Sequence, residues 1–209
     1  MSDEKIITDD GFSLTALQTG DKAEFARLVD AYYPVIYRLA LKILGNTQDA
    51  EDILQETFIK AFRNIADFNG RSRLSTWLYR IATNEALMLI RRRKPDTISI
   101  EVPREGDEED KEPLEIVDWC CMPERELLSS ESRQRLDQAI ESLPPSLRVV
   151  FVLRDIEGLS TLETGEVLHL SETAVKTRLS RARLRLRKEL TQYYGDRMRR
   201  KPVAEEGGR

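Results

Sequence analysis

The sequence predicts an all-α chain of two small helical domains joined by a flexible acidic linker. Apolar residues recur at helical spacing through most of residues 12–93 and again over 124–190. Between these stretches, residues 96–123 lose that period and gain Pro, Gly and acids, the composition of a segment that cannot bury a core. A length of 209 residues suits two small domains of this kind. The expected boundaries are 12–95 for the first domain, 96–123 for the linker, 124–195 for the second domain and 196–209 for a disordered basic tail.

Gly20-Asp21 opens a helix carrying Phe25, Leu28, Val29, Tyr32 and Tyr33. Pro34 marks a helix start or a kink, because proline lacks the donor a helix interior needs. Val35, Leu39 and Ile43 keep the spacing until the stop signal Gly45-Asn46. A helix from about Asp49 to Ile65 aligns Leu54, Phe58, Ala61 and Ile65. Residues 68–72 read as a loop, a long helix spans about Ser75 to Arg93, and Pro95 closes the domain. Fully extended, the linker's 28 residues reach about 90 Å. That separates two domains by two turns of duplex at about 34 Å per turn.

In the second half, a helix from about Glu124 to Glu141 ends at Leu143-Pro144-Pro145, and a further one spans Ser146 to Asp155. Ser160 and Glu163 have capping-box spacing and start a short helix to Leu168. After the tight connection His169-Leu170, Ser171 caps a long basic helix. A short helix, a turn and a longer basic helix form a helix-turn-helix pattern.

Composition removes several classes of function. No apolar run approaches the roughly 20 residues that span a bilayer, so no membrane insertion is expected. The acidic N-terminus lacks the features of a secretory signal, which points to the cytoplasm. Cys120 and Cys121 are neighbours, a geometry too strained for a structural disulfide. With His169 the only histidine, they make no recognisable zinc site, so no metal and no cofactor are expected. No phosphate-binding glycine loop or nucleophile motif is present, and an enzyme is not expected.

A formal net charge of -4 hides a strong asymmetry. Residues 71–94 hold seven Lys or Arg against one Glu, residues 101–118 nine acids against two bases, and residues 171–201 eleven bases against three acids. Such blocks suggest nucleic-acid contact, although solvated helices also carry many charges. The helix over 171–190 separates the two readings. At about 100° per residue, Val175, Leu179, Ala182, Leu186 and Leu190 form a core stripe. Opposite lie Thr177, Ser180 and Leu184, flanked by Lys176, Arg181, Arg187 and Lys188. Basic residues around a hydrogen-bonding centre suit a recognition helix, in which short polar groups approach base edges and cations reach guanine or phosphate. Lys176, Thr177, Arg178, Ser180 and Arg181 are the candidate duplex contacts, and Leu184 meets a protein partner, a thymine methyl or nothing.

In the first domain, Arg80, Asn84, Leu87 and Arg91 form one line on a helix and could bind bases and backbone together. Phe68, Trp77 and Tyr79 provide aromatic surface for strand capture. Phe68 is the better stacking candidate because it lies in the loop, and Trp77 can equally serve the core. Asp52, Gln55, Glu56 and Ile59 share a helix face whose apolar residue among acids suits a protein partner, or whose acids are simply solvated.

Together, "DAEDILQETFIKAF" (49–62), "FNGRSRLSTWLYRIATNEALMLIRRRK" (68–94) and "LPPSLRVVFVLRDIEGLSTLETGEVLHLSETAVKTRLSRARLRLR" (143–187) resemble the bacterial RNA polymerase sigma factors of the sigma-70 family, extracytoplasmic-function (ECF) group. The first two stretches look like sigma region 2 and the third like sigma region 4. The resemblance implies a factor that binds core RNA polymerase and directs initiation at promoters with -35 and -10 elements. It implies that Asp52, Gln55 and Glu56 grip the clamp helices of the largest subunit, with Ile59 the candidate apolar anchor on the same face. By the same resemblance, the loop Phe68, Asn69, Gly70, Arg71, Ser72 and Arg73 receives a flipped -10 base, Asn84 reads that element, and Lys176, Thr177, Ser180 and Arg181 contact the -35 duplex; Arg80 and Arg91, on one line with Asn84, are the further candidate -10 contacts. Leu184 becomes a candidate anchor on the polymerase flap, and an anti-sigma factor is an implied partner. Gly165 departs from the family, which commonly has Ala there, and costs about 1 kcal/mol in a helix interior. The competing expectation is a stand-alone helix-turn-helix regulator, which leaves the first domain unexplained.

Overall fold

The computed structural model describes residues 10–93 and 130–200, which form α1 (Leu14–Gln18), α2 (Lys22–Leu44), α3 (Thr47–Asn64), a 3-10 turn (Ile65–Asp67) and α4 (Leu74–Arg93). They continue as α5 (Ser130–Ser142), α6 (Pro145–Phe151), a π-helical turn (Val152–Ile156), α7 (Thr161–Leu168) and α8 (Glu172–Arg200). The all-α expectation holds for these residues. The linker expected over 96–123, the helix start at Glu124 and the end of the tail lie outside them. Helix α8 runs to Arg200, into the stretch expected as tail. No helix among the described residues is long and apolar enough to cross a membrane, and no group of three His, Cys, Asp or Glu there could hold a metal.

Helix α2 begins where the Asp21 carboxylate accepts from the amides of Ala23 and Glu24, and it ends at Gly45, whose φ of 69° suits a left-handed cap. Pro34 neither starts nor divides it, contrary to the sequence expectation. An interior proline costs about 3 kcal/mol. Leu28, Ile36, Leu39 and Ile43 are buried on the same helix, and each fully buried aliphatic contributes about 1.5–3 kcal/mol. Both Pro34 and Asp30, whose carbonyl loses its helical donor, are exposed, so water can serve that carbonyl.

Helices α2, α3 and α4 pack mutually. Between α3 and α4, Arg93 forks onto the buried carboxylate of Asp49 (Nη2 to Oδ1 2.7 Å), and Lys60 of α3 reaches Glu85 at 2.7 Å and Glu56 at 3.3 Å. Asn46 caps α3 through the amide of Asp49.

In the second group, Pro144 and Pro145 open α6, which passes into the π turn rather than ending as an ordinary helix at Asp155. The extra residue per turn frees the carbonyl of Leu153 for the amide of Leu159 (2.9 Å), and Arg154 also donates to the Leu159 carbonyl. Asp155, exposed on this turn, accepts a two-point fork from Arg183 of α8 at 2.8 and 2.6 Å. Arg183 is thereby a strut between the π turn and α8.

The capping box at α7 forms in full: Glu163 N donates to Ser160 Oγ (3.1 Å) and Ser160 N to the Glu163 carboxylate (2.8 Å). Hydrogen bonding from Ser160, its backbone amide first and its side chain second, holds the Glu163 carboxyl below its ordinary range. His169 takes the left-handed cap at φ 56°, and Ser171 Oγ accepts from Ala174 to start α8.

Gly165 proves to be a close-approach residue. It is buried, its carbonyl accepts from Leu170 at 2.9 Å, and a Cβ there would stand 2.7 Å from the Leu170 carbonyl oxygen. Ala gains about 1 kcal/mol of helix propensity, but forcing backbone apart costs about 1–3 kcal/mol. Gly165→Ala is therefore expected to lower stability by roughly 1 kcal/mol, read as a lower midpoint in urea with unchanged slope.

The two groups share one continuous apolar core. Helix α2 meets α5, α6 and the π turn, and α4 meets α6 and α7. Arg148 on α6 sits at this junction, donating to the carbonyl of Ile43 at the end of α2 (2.8 Å) and to that of Leu143 after α5 (3.0 Å). A guanidinium at two helix C-termini satisfies carbonyls that the helices themselves leave open.

Candidate nucleic-acid and partner interfaces

Helix α8 presents its expected reading face. Lys176, Thr177, Ser180 and Arg181 are exposed, while Val175, Leu179, Ala182 and Leu186 are buried. Arg178 is the correction: it is only 7% exposed, and the loss of solvent lowers its pKa. Its place about 60° from Val175 on the helical wheel puts it on the flank of the buried stripe. Thr177 donates its hydroxyl to the Thr173 carbonyl at 2.9 Å, which leaves its oxygen free to accept. Beside this face runs a groove of about 430 Å³ lined by Arg154, Thr161, Lys176, Ser180, Leu184 and Arg187, among others. Leu184 is 40% exposed in its wall. Arg154 and Thr161 were not legible as groove residues, since they lie on other elements and only folding brings them to α8.

The second surface surrounds the loop after α3. Gly70 has φ +70°, the Asn69 side chain accepts from the Arg71 amide at 3.2 Å, and Gln18 of α1 donates to the Phe68 carbonyl at 2.8 Å. The loop is thus a built turn, anchored at one end and open at the other. Asn69, Gly70 and Arg71 are exposed and Ser72 is half-buried. Phe68 is corrected: it is 6% exposed and packs on Trp77 with ring centroids 5.2 Å apart, so Trp77 is the more accessible of the two rings. A groove of about 430 Å³ is lined by Phe68, Asn69, Arg71, Ser72, Trp77 and Arg80 on this side and by Glu166 of α7 on the other. Arg80 Nε is buried without a hydrogen-bond partner among the described residues. Asn84 and Arg91 are exposed further along α4, while Leu87 of the same line is buried.

The third surface is the outer face of α3, where Asp52, Gln55 and Ile59 are exposed and Glu56 is half-buried. Ile59 is 44% exposed. The ion pairs of Lys60 with Glu56 and Glu85 tie this face to α4 and fix its orientation.

Comparison with known proteins matches both halves of the chain. The family model described as Sigma-70 region 2 matches residues 28–95, and that described as Sigma-70, region 4 matches 133–186. The chain is similar to the ECF RNA polymerase sigma factor SigW of Bacillus subtilis, with 42% identity over 174 residues covering 83% of this chain and 92% of that one. The RNA polymerase sigma-H factor of Pseudomonas aeruginosa is 37% identical over 177 residues, covering 83% and 90%. Among solved structures, CnrH in complex with the cytosolic domain of CnrY superposes with a TM-score of 0.61 at 24% identity over 86% of this chain and 95% of that one. The sigma factor RpoE of Bartonella quintana, solved with the anti-sigma factor NepR, gives 0.60 at 24% identity over 80% and 97%. These two likenesses concern the fold.

Proposed function

Because the chain belongs to the sigma-70 family of RNA polymerase sigma factors, in the extracytoplasmic-function group, we propose how its three surfaces divide the work of promoter-specific initiation. As a sigma factor it binds core RNA polymerase and directs it to promoters, and it performs no chemistry of its own. The observation that carries the division is the contrast between its two basic surfaces. One is a convex helix face fit for a duplex groove, and the other is a turn beside a recess fit for an unstacked base.

The exposed row Lys176, Thr177, Ser180 and Arg181 enters the major groove of the -35 element, Thr177 and Ser180 close to base edges and the cations on guanine or phosphate. Arg178, buried, supports the helix from within. At the -10 element, a base leaves the stack and enters the recess by the 68–72 loop. Unstacking costs a few kcal/mol, offset by stacking on Trp77 and by hydrogen bonds from Asn69, Arg80 and Asn84. Phe68 holds Trp77 from behind, and Arg71 and Arg91 meet the strand's phosphates. Asp52, Gln55, Glu56 and Ile59 dock on the clamp helices of the largest subunit, Leu184 on the polymerase flap, and an anti-sigma factor is a further partner.

Permanganate footprinting of the reconstituted holoenzyme on a selected promoter tests the strand site. Asn84→Ala is expected to lower the fraction of opened promoter roughly tenfold or more, the loss of one or two base-edge hydrogen bonds worth about 1–3 kcal/mol, while polymerase binding stays unchanged. Full reactivity of thymines around -10 in that variant would remove Asn84 from the site. The stand-alone regulator reading leaves the region 2 match and the α3 face without a role and is not favoured.

A further inference from the structure

Helix α1 lies outside the segment that matches sigma region 2, residues 28–95, yet it touches the loop assigned above to the -10 strand. At five residues it is well under the roughly 12 a helix needs to persist alone, so its order comes from its neighbours. Ser13 Oγ caps it by accepting from the Ala16 amide at 3.3 Å, and the Ser13 amide donates to the Glu24 carboxylate of α2 at 2.7 Å. Leu14 and Leu17 are buried in the core.

Fixed on α2 in this way, α1 meets the loop at two points. Gln18, its last residue, donates from its side-chain amide to the Phe68 carbonyl at 2.8 Å, across 50 positions of sequence. Leu14 stands beside Gly70, its Cδ2 3.8 Å from where a Cβ on that glycine would lie. The loop's own bond, from the Arg71 amide to the Asn69 side chain, shapes the turn but does not set where the turn points. The Gln18 bond acts at the root of the turn. There it fixes the backbone that carries the Phe68 ring against Trp77 and the Asn69 and Arg71 side chains along the recess.

Gln18 does not line the recess itself. We propose that it is a positioning residue for capture of the -10 strand, and that α1 is thereby a working part of the opening machinery as well as of the core. Gln18 acts through the Phe68 carbonyl and holds the loop in the one orientation that receives an extruded base. This rests on the assignment of the recess as the strand site, and the test separates the two.

Without the donor, a partly buried carbonyl loses its partner and the loop divides its time among several orientations. Affinity for the extruded base falls with the fraction of loops in the competent one. A single neutral hydrogen bond is worth about a threefold to tenfold change in that fraction.

The experiment uses holoenzyme reconstituted with the full-length chain and a selected promoter pre-melted across the -10 element. The promoter is prepared intact and with an abasic site at each -10 position in turn. Gln18→Met keeps the side-chain length and loses the donor, whereas Gln18→Lys keeps a donor on a long stem. With wild type, one abasic position is expected to weaken binding most. Gln18→Met is expected to bind the intact promoter about threefold to tenfold less tightly than wild type. At that abasic position the two should bind equally, because no base is left for the loop to receive. Gln18→Lys should restore binding to the intact promoter.

Binding of the intact promoter by Gln18→Met at the wild-type level overturns the positioning role. An equal deficit on the intact promoter and on every abasic one also overturns it, since a merely structural weakening does not depend on the base. Failure of Gln18→Lys to restore binding removes the hydrogen bond as the cause. If no abasic position weakens wild-type binding, the strand site itself is overturned.

Discussion

Replacing Asp52 with Lys and Ile59 with Glu together is expected to weaken association with core polymerase at least a hundredfold, about 2.7 kcal/mol. The side chains of Asp52, Gln55 and Ile59 stand in solvent on one face of α3, and Ile59, 44% exposed, is an apolar group with no internal task. In a protein interface such a residue supplies the desolvated anchor, and acids around it supply register and exclude wrong partners. Asp52→Lys converts an attraction into a like-charge contact, and Ile59→Glu introduces a charge where water is expelled. Neither residue belongs to the core, so circular dichroism and the thermal midpoint should be unchanged. Biolayer interferometry against immobilised core polymerase checks the result. A change of less than threefold in Kd would show that the outer face of α3 is merely solvated.

The second large effect concerns duplex recognition. Arg181→Ala is expected to reduce holoenzyme binding to a selected promoter by about 1–3 kcal/mol, and to relax preference at one or two positions of the -35 element, as loss of a base-edge contact does. Lys176→Ala should behave differently. Its exposed ammonium, 3.8 Å from Glu172, suits a phosphate contact, so its loss should weaken binding evenly across sequences and reduce the salt slope by about 1. Filter binding over a range of potassium concentrations, with wild-type and shuffled -35 sequences, distinguishes the two. Equal effects of both variants on every sequence would mean that α8 holds the backbone without reading bases.

Local chemistry was legible in the sequence because its parts lie within one turn of each other. Ser160 and Glu163 form their box, Ser171 caps α8, and the stripe Val175, Leu179, Ala182, Leu186 is buried as its angles require. The same angles place Arg178 beside that stripe, and its charge concealed what its position indicated. Loop position was a poor guide at Phe68, because a turn this tight needs an apolar pin, and Phe68 on Trp77 is that pin. Pro34 shows tertiary burial overriding a propensity penalty. Gly165 was legible as an oddity, but its cause, a carbonyl 2.7 Å from where a Cβ would be, belongs to the folded turn.

The docking of the two groups had no sequence signal at all. Arg38 and Glu157 are 119 residues apart, Ile43 and Arg148 are 105 apart, and charged residues on helix faces give no indication of partners at such range. A separation into two domains was read from composition, and the shared core is a property that only packing reveals.

Transcription from a randomised promoter library by core polymerase, with and without this chain, tests promoter-directed initiation most directly. With the chain, sequenced transcripts should start downstream of two conserved blocks at a fixed spacing. Core polymerase alone, or core with the Asp52→Lys, Ile59→Glu variant, should yield neither block. A chain that binds duplex DNA through α8 yet adds no such transcripts to core polymerase would contradict a role as its promoter-specificity subunit.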